Sequence, residues 1–379
     1  MKHIGFNKPF FTGKETQYIY EAVQSGKISG NGMFTQRCQI FFENRYGFKK
    51  CLLTTSCTDA LEMSAMLAGI RPGDEVIIPS FTFVSTALAF VRQGASVIFA
   101  DSYTDNPNID AGAIEFLITN RTKAIVAVHY AGVACDMDVI MKLADQYGLL
   151  VIEDAAQAID SFYTGANGVT RALGSIGHLA AFSFHETKNI ISGEGGMLAI
   201  NDDRFLERAE IIWEKGTNRS QFFRGEINKY SWIDIGSSFL PSEITAAFLY
   251  AQIENLDFIQ DRRKHLWNRY YENLIRYSEN LNLPILPDYA TNNGHIFYLV
   301  LNDSESRTKL INKLRDDNVD AVFHYISLHS STYYAPRYFG GPLLNSDKFS
   351  NCLLRLPMYF ELEDDDIKRV CSIIISTHE

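Results

Sequence analysis

The sequence predicts an α/β protein with a mainly parallel sheet, and three observations carry that expectation. Short apolar runs alternate with longer amphipathic stretches through the first two thirds of the chain. The longer stretches repeat their apolar residues at spacings of three and four, the period of a helix packed on one face. The 379 residues are 46% apolar, 13% aromatic and only 21% charged, enough to bury a large core in more than one unit. Alternating strands and helices of this length pack as a parallel sheet covered on both faces.

Taken in order, strands are expected over residues 51–55, 75–79, 96–100, 124–129, 149–153, 179–183 and 197–200, with helices over 58–68 and 137–147 among them. The strongly apolar, uncharged stretch 76–91 contains Pro79, Ser80, Thr82, Ser85 and Thr86 and falls short of the roughly 20 residues of a bilayer span, so it reads as a buried strand followed by a helix. Near Trp232 the pattern changes. Pro241-Ser242-Glu243 reads as a helix start, and Ile244, Phe248, Ile253 and Leu256 continue at helical spacing, giving one long helix that bridges into a second unit. There, strands at 296–301 and 319–323 flank a charged helix at 306–317, and residues 361–376 form a terminal helix. With no repeat, low-complexity tract or Pro/Ser-rich linker, two tightly packed units are expected, 1–250 and 251–379.

The 35 basic and 45 acidic side chains leave a net charge of −10, which argues against a protein that coats nucleic acid. The N-terminus lacks the pattern of a signal peptide, so a cytoplasmic location is expected. Six scattered cysteines suggest reduced thiols rather than disulfides or a zinc site. His324 and His329, near Tyr325, are too few for a metal centre, and none is expected.

Three clusters carry chemistry. In the first, Thr54-Thr55-Ser56-Cys57-Thr58-Asp59 takes a strand into a helix through small hydroxyl residues, which suits either a phosphate site or an ordinary N-cap. In the second, Glu153 and Asp154 end a buried-looking strand, where open α/β sheets form their ligand crevice; the plain alternative is one exposed acid and one that caps a helix. The third, Phe182-Ser183-Phe184-His185-Glu186-Thr187-Lys188-Asn189, leads into the glycine-rich Gly193-Glu194-Gly195-Gly196. Lys188 is a Schiff-base former if confined, or else a surface lysine. In this order, with the aromatic Ser80-Phe81-Thr82-Phe83 between them, the clusters supply what pyridoxal phosphate needs: a phosphate cup, a stacking platform, a partner for the pyridine nitrogen and a lysine.

On these residues, and on the long stretch Glu214-Lys215-Gly216-Thr217-Asn218-Arg219-Ser220-Gln221-Phe222-Phe223-Arg224-Gly225, the whole chain resembles the sugar aminotransferases of the DegT/DnrJ/EryC1/StrS group. The resemblance implies the aspartate-aminotransferase fold (PLP fold type I), with a large cofactor-binding domain and a smaller C-terminal α/β domain. It implies Lys188 and Asp154 as catalytic residues, with Phe83 stacked on the cofactor ring and Gln157 near the ring hydroxyl. Ser56, Cys57, Thr58 and Ser183 would hold the phosphate, and Ser238 would reach the partner's phosphate in a homodimer with shared sites. Lys215, Asn218 and Arg219 are candidates for a substrate diphosphate, and His324, Tyr325 and His329 for the sugar. The stretches are most similar to the branch that transfers an amino group from L-glutamate to C4 of dTDP-4-keto-6-deoxyglucose, giving dTDP-4-amino-4,6-dideoxygalactose for a surface polysaccharide. The gluco product is the alternative. Lys188 argues against the dehydratase branch, where that lysine is replaced, and the intact Lys188, Asp154 and Ser183 argue against a silent sugar-nucleotide binding protein. Residues 163–171 read as an insertion, either a surface loop or a reshaping of the sugar pocket.

Overall fold

The computed structural model describes residues 2–277 and 281–378. Two helices, α1 (Glu15–Gln24) and α2 (Met33–Tyr46), precede the alternating region, which runs β1 (Lys50–Thr54), α3 (Cys57–Leu67), β2 (Glu75–Pro79), α4 (Val84–Val91), β3 (Ser96–Ala100), β4 (Thr122–Val128), α5 (Met137–Tyr147) and β5 (Leu150–Asp154). A hairpin, β6 (Phe162–Thr164) and β7 (Thr170–Ala172), leads to β8 (Leu179–Ser183) and β9 (Gly196–Ile200). The seven long strands form one sheet in the order β1-β9-β8-β5-β4-β2-β3. Strands β3, β2, β4, β5 and β8 are mutually parallel, whereas β9 runs antiparallel to both β8 and β1.

Strand alternation divides the core in two. Leu53, Ile77, Ile125, Val151 and Met197 pack on the face covered by α2 and α5, while Leu52, Val76, Ile78, Val126, Ile152 and Leu198 pack on the face covered by α3 and α4. With both faces covered, the strands read as continuous apolar runs, which is why the sequence marked them so closely.

After α6 (Leu206–Trp213) and α7 (Arg219–Phe223), the expected single long helix proves to be two, α8 (Glu243–Ile253) and α9 (Leu256–Leu274), separated by Glu254 and Asn255. Both are apolar on their buried sides, so the pattern runs through the break. The remaining elements are β10 (Tyr298–Val300), α10 (Ser304–Asp316), β11 (Val322–Phe323), α11 (Leu344–Cys352), β12 (Leu353–Arg355) and α12 (Asp364–His378). The three short strands form an antiparallel sheet, β10-β12-β11, over a third core that includes Leu310, Leu354, Ile367 and Val370. Ile4, at the other end of the chain, joins this core and pairs with Val319. A cluster of Phe81 and Tyr130 with Tyr298, Phe349 and Leu353 fills the seam between the sheets.

One buried acid fixes the N-terminal helices. Gly32, the N-cap of α2, has no side chain to accept from the first turn. Glu243, at the start of α8, does so instead: its carboxylate accepts from the amides of Gly32 (2.9 Å), Phe34 (2.7 Å) and Thr35 (3.1 Å), and from the Thr35 hydroxyl. Several orphan N–H groups and the positive helix end meet one anion. Glu243→Ala leaves those donors buried and unpaired and is expected to cost about 2–4 kcal/mol, read from urea unfolding.

Candidate active site

The site lies at the carboxyl ends of the parallel strands, where they face the small sheet. A cavity of about 1060 Å³ opens there, bounded by the start of α3, the turn before α4, the end of β5, the loop after β8 and residues of the small sheet. Parallel sheets place ligands at this edge because every strand-to-helix turn delivers its residues there.

At the start of α3, Ser56 is extended and its hydroxyl accepts from the Asp59 amide at 3.1 Å. Ser56 is therefore the N-cap, and it also lines the cavity together with Cys57 and Thr58. Thr58 shares its hydroxyl with Ser85 at 2.8 Å. The start of β9 passes so close that a Cβ on Gly196 would lie 2.3 Å from the Ser56 carbonyl carbon and 2.4 Å from the Cys57 nitrogen. Only glycine permits this approach, which presses β9 against the turn that an anion at the helix end would use.

Both acids ending β5 are buried, with different duties. Glu153 accepts from the amides of Gly174 (2.7 Å), Ile176 (2.8 Å) and Gly177 (2.5 Å) and contacts His129 Nε2 at 2.9 Å. Burial opposes its ionisation, but these hydrogen bonds, His129 first, outweigh that and hold its carboxyl below the usual range. Asp154 lines the cavity and accepts from Thr86 Oγ1 at 2.7 Å and the Ala156 amide at 3.2 Å. Burial raises its pKa, only partly offset by those donors and by Lys188. A buried carboxylate short of a cationic partner suits a protonated pyridine nitrogen.

Lys188 sits in the turn after β8. Its neighbour Asn189 is buried and donates to Gln260 on α9 (2.8 Å) and to the Asn293 carbonyl (2.9 Å), clamping the loop to the body of the protein. Lys188 faces the cavity, and burial lowers its pKa, with Cys57 and Asp154 opposing and Arg355 reinforcing the shift. That is the confined lysine of the sequence reading. Gln157 accepts from the Ala131 amide (2.6 Å) and donates to Tyr325 Oη (2.9 Å). Phe83 leaves 54% of its surface open at the cavity wall, while Ser183 and His324 complete the lining. His324 contacts Tyr130 Oη at 2.7 Å through Nδ1, and burial pushes its pKa well down.

Other expected site residues lie elsewhere in this subunit. His329 is turned away from the cavity, its Nδ1 on Ser80 Oγ at 2.7 Å and its Nε2 3.6 Å from Asp347. It braces the loop behind Tyr325. Lys215, Asn218, Arg219 and Ser238 fall outside the cavity lining. They gather around one strip of surface where Glu214 bridges Ser238 and Arg219 lies 3.8 Å from Glu214. The 163–171 segment is the β6–β7 hairpin; its tip is tied to Asp138 through the Ala166 amide at 2.7 Å, and none of it lines the cavity. Sequence reasoning missed His295 and Arg355, which both line the cavity. The only sign of Arg355 was a charge in the apolar run Leu353-Leu354-Arg355-Leu356-Pro357.

A lysine, a buried acid and a glycine-pressed helix start meet at one strand edge, the parts a pyridoxal phosphate site uses, and the comparisons give the class: a pyridoxal-phosphate-dependent aminotransferase of the aspartate-aminotransferase-like fold. The chain belongs to the DegT/DnrJ/EryC1/StrS aminotransferase family, whose model matches residues 10–375. It is 32% identical over 380 residues to the spore coat polysaccharide biosynthesis protein SpsC of Bacillus subtilis (strain 168), covering 98% of this chain and 96% of that protein. Among solved structures it is similar to DesV of S. venezuelae (29% identity, TM-score 0.90, 100% of this chain and 99% of that one). The aminotransferase TlmJ of Streptoalloteichus hindustanus is alike to a similar degree (27% identity, TM-score 0.90, 99% of each chain). Among the described residues no helix is long and apolar enough to cross a membrane, and no group of three or more His, Cys, Asp or Glu side chains could hold a metal.

Two outcomes are expected. Gly196→Ala pushes into the Ser56–Cys57 peptide and lowers affinity for pyridoxal phosphate by about tenfold or more, the loss of a charge-assisted amide contact, as followed by visible absorbance during titration of the apo-protein. Lys188→Met stabilises the apo-protein at neutral pH. The depressed native pKa means the unfolded chain binds the proton more tightly, so folding carries its full penalty below that pKa. The penalty fades as pH rises toward the ordinary 10.5 of lysine, so the difference in urea midpoints between variant and parent shrinks over that window.

Proposed function

We propose that the protein transfers an amino group from L-glutamate to C4 of a nucleotide-linked 4-keto-6-deoxyhexose, dTDP-4-keto-6-deoxyglucose, to give dTDP-4-amino-4,6-dideoxygalactose. The observation that carries this reading is that Lys188 and Asp154 face one cavity of about 1060 Å³ at the carboxyl ends of the parallel strands. The sequence resemblance of residues 214–225 and the spore coat polysaccharide biosynthesis in the name of SpsC support the sugar class.

When bound, pyridoxal phosphate supplies an electrophilic carbonyl and a ring that accepts an electron pair. The amides at the start of α3, with Thr58 and Ser183, would hold its phosphate. Asp154, oriented by Thr86 and Ala156, would keep a proton on the ring nitrogen, and Phe83 would pack against the ring. Lys188 Nζ would take the proton from the donor's α-carbon and, in the second half of the reaction, deliver one to the sugar's C4, a task helped by the burial that lowers its pKa and favours the basic amine. Gln157 and Tyr325, joined by their hydrogen bond, fix the wall beside the ring.

We further propose that two copies complete each other's sites. Phe223, Trp232 and Ile235 expose 66%, 80% and 71% of their surface on the segment that carries Lys215, Arg219 and Ser238. A partner covering these residues brings those polar groups toward its own cavity. In this reading residues 1–250 form the larger, cofactor-binding unit and 251–379 the smaller.

Incubation with dTDP-4-keto-6-deoxyglucose and glutamate is expected to yield an amino sugar whose H3–H4 proton coupling is small, the mark of an axial C4 amine. A large coupling identifies the gluco product, and no amino sugar at all overturns the substrate. Lys188→Ala is expected to lose turnover entirely while remaining folded by circular dichroism; undiminished activity removes the role given to Lys188.

A further inference from the structure

His295 lines the cavity, and no step above uses it. Its backbone is pinned on both sides, the amide on Asn293 Oδ1 at 3.0 Å and the carbonyl on Arg263 Nη2 at 2.9 Å. The side chain is held as firmly. Asn189 gives its Nδ2 to the Asn293 carbonyl at 2.9 Å, and because a backbone carbonyl can only accept, the Asn189 amide has one possible orientation, with Oδ1 toward His295. His295 Nδ1 lies 2.7 Å from that oxygen and must carry the ring proton. The other nitrogen, Nε2, is therefore a bare acceptor, and among the described residues no side chain or amide donates to it. The edge of an imidazole opposite Nδ1 is the one that carries Nε2. With Nδ1 turned into the body of the protein and the residue only 7% exposed, that edge is what the ring offers to the cavity. A second proton does not alter this, because burial, with Lys188 and Arg263 next, holds the ring well below the usual histidine range and neutral at neutral pH.

We propose that His295 Nε2 accepts a hydrogen bond from the hydroxyl on C3 of the sugar, next to the reacting carbon, and so selects ketosugars that carry a hydroxyl there. This rests on the reading of the chain as a ketosugar 4-aminotransferase. Place and chemistry lead to the same group. His295 is held by the residue that follows Lys188, and Lys188 is the charge that bears on its ring most, so a ligand atom at Nε2 lies close to the carbon whose proton Lys188 handles. In the ketosugar that carbon is C4, which has two neighbours. C5 bears a methyl group and the ring oxygen, neither of which donates; C3 bears the one hydroxyl within reach. In the amino-acid donor the reacting carbon bears a carboxylate, which only accepts and would meet a lone pair at Nε2. The acceptor thus serves the sugar half-reaction alone, and a buried acceptor left unpaired is what turns away a sugar without the hydroxyl.

The test pairs the residue with the substrate group. His295→Asn keeps a donor for Asn189 near the position of Nδ1 and removes Nε2. On the pyridoxal phosphate holoenzyme, followed by the cofactor's absorbance, the second-order rate constant for dTDP-4-keto-6-deoxyglucose is expected to fall about tenfold, the loss of one hydrogen bond from a buried hydroxyl. The losses with the 3-deoxy analogue of that ketosugar and in the glutamate half-reaction should be at least about fivefold smaller. Equal losses with the two ketosugars overturn the proposal, as does an equal loss with glutamate, which would make His295 a brace for Lys188 in both half-reactions. A parent that aminates neither ketosugar overturns the substrate reading itself; a parent that aminates the hydroxylated one, with a variant that does not tell the two apart, overturns only the role of His295. Nitrogen NMR of the histidine-labelled parent carries the test if the variant does not fold, and needs no turnover. An unprotonated His295 Nε2 whose resonance moves with dTDP-6-deoxyglucose, which has no ketone to react, and not with its 3-deoxy analogue supports the contact. A protonated Nε2, or equal movement with both sugars, overturns it.

Discussion

Everything at the reacting end of the cavity hangs on Glu153. A carboxylate with no exposed surface is tolerable only when its charge is met from every side, and here three amides of the turn before β8 and the His129 ring meet it. The cluster ties the end of β5 to β4, through His129, and to the turn that starts β8. The same His129 ring accepts the Cys135 amide at 3.2 Å, so its other nitrogen is the one that faces Glu153 with a proton. Asp154, one residue further on, inherits this rigidity. It needs only the Ala156 amide and Thr86, itself hydrogen-bonded to Thr82 at 2.9 Å, to fix its own orientation. One acid thus holds the frame, and the next is left facing the cavity.

The net charge of −10 gives anions no general reason to approach. Inside the cavity Lys188, Arg355, His295 and His324 line the space with the buried carboxylate Asp154, and Glu194 stands exposed at the rim. Each of the four has a lowered pKa, burial being the first cause in every case. Burial thus leaves His295 and His324 neutral at neutral pH, so the positive character of the cavity comes from Lys188, Arg355 and the amides at the start of α3.

The large sheet was legible almost residue by residue because its strands are buried on both faces and cannot hide their apolar runs; the helix over 137–147 matches α5 for a related reason, having one wet face and one dry. Helices α1 and α2 escaped notice. The acid that starts α2 is Glu243, about two hundred positions away, and no local pattern could reveal that. The break between α8 and α9 was hidden because apolar spacing continues through it. At the site, Lys188, Asp154, Ser56 and Ser183 were marked by small or charged residues at strand ends. His329 was misplaced because proximity in sequence to Tyr325 says nothing about which way a ring turns after a backbone bend, and Tyr325 itself has φ of +50°. Arg355 was passed over because a single arginine in a three-residue strand resembles any edge charge.

Helix α9 belongs to two cores at once. Leu256 and Ile259 at its start are buried with the large sheet, and Leu266, Trp267, Tyr270 and Leu274 further along are buried with the small one. Neither core can come apart without stripping one half of a helix whose other half is still packed, and a helix so stranded is a poor helix in water. The two sheets are in this way made to share one fate: heat or denaturant should find a single cooperative transition rather than a loose small lobe that melts ahead of the large one.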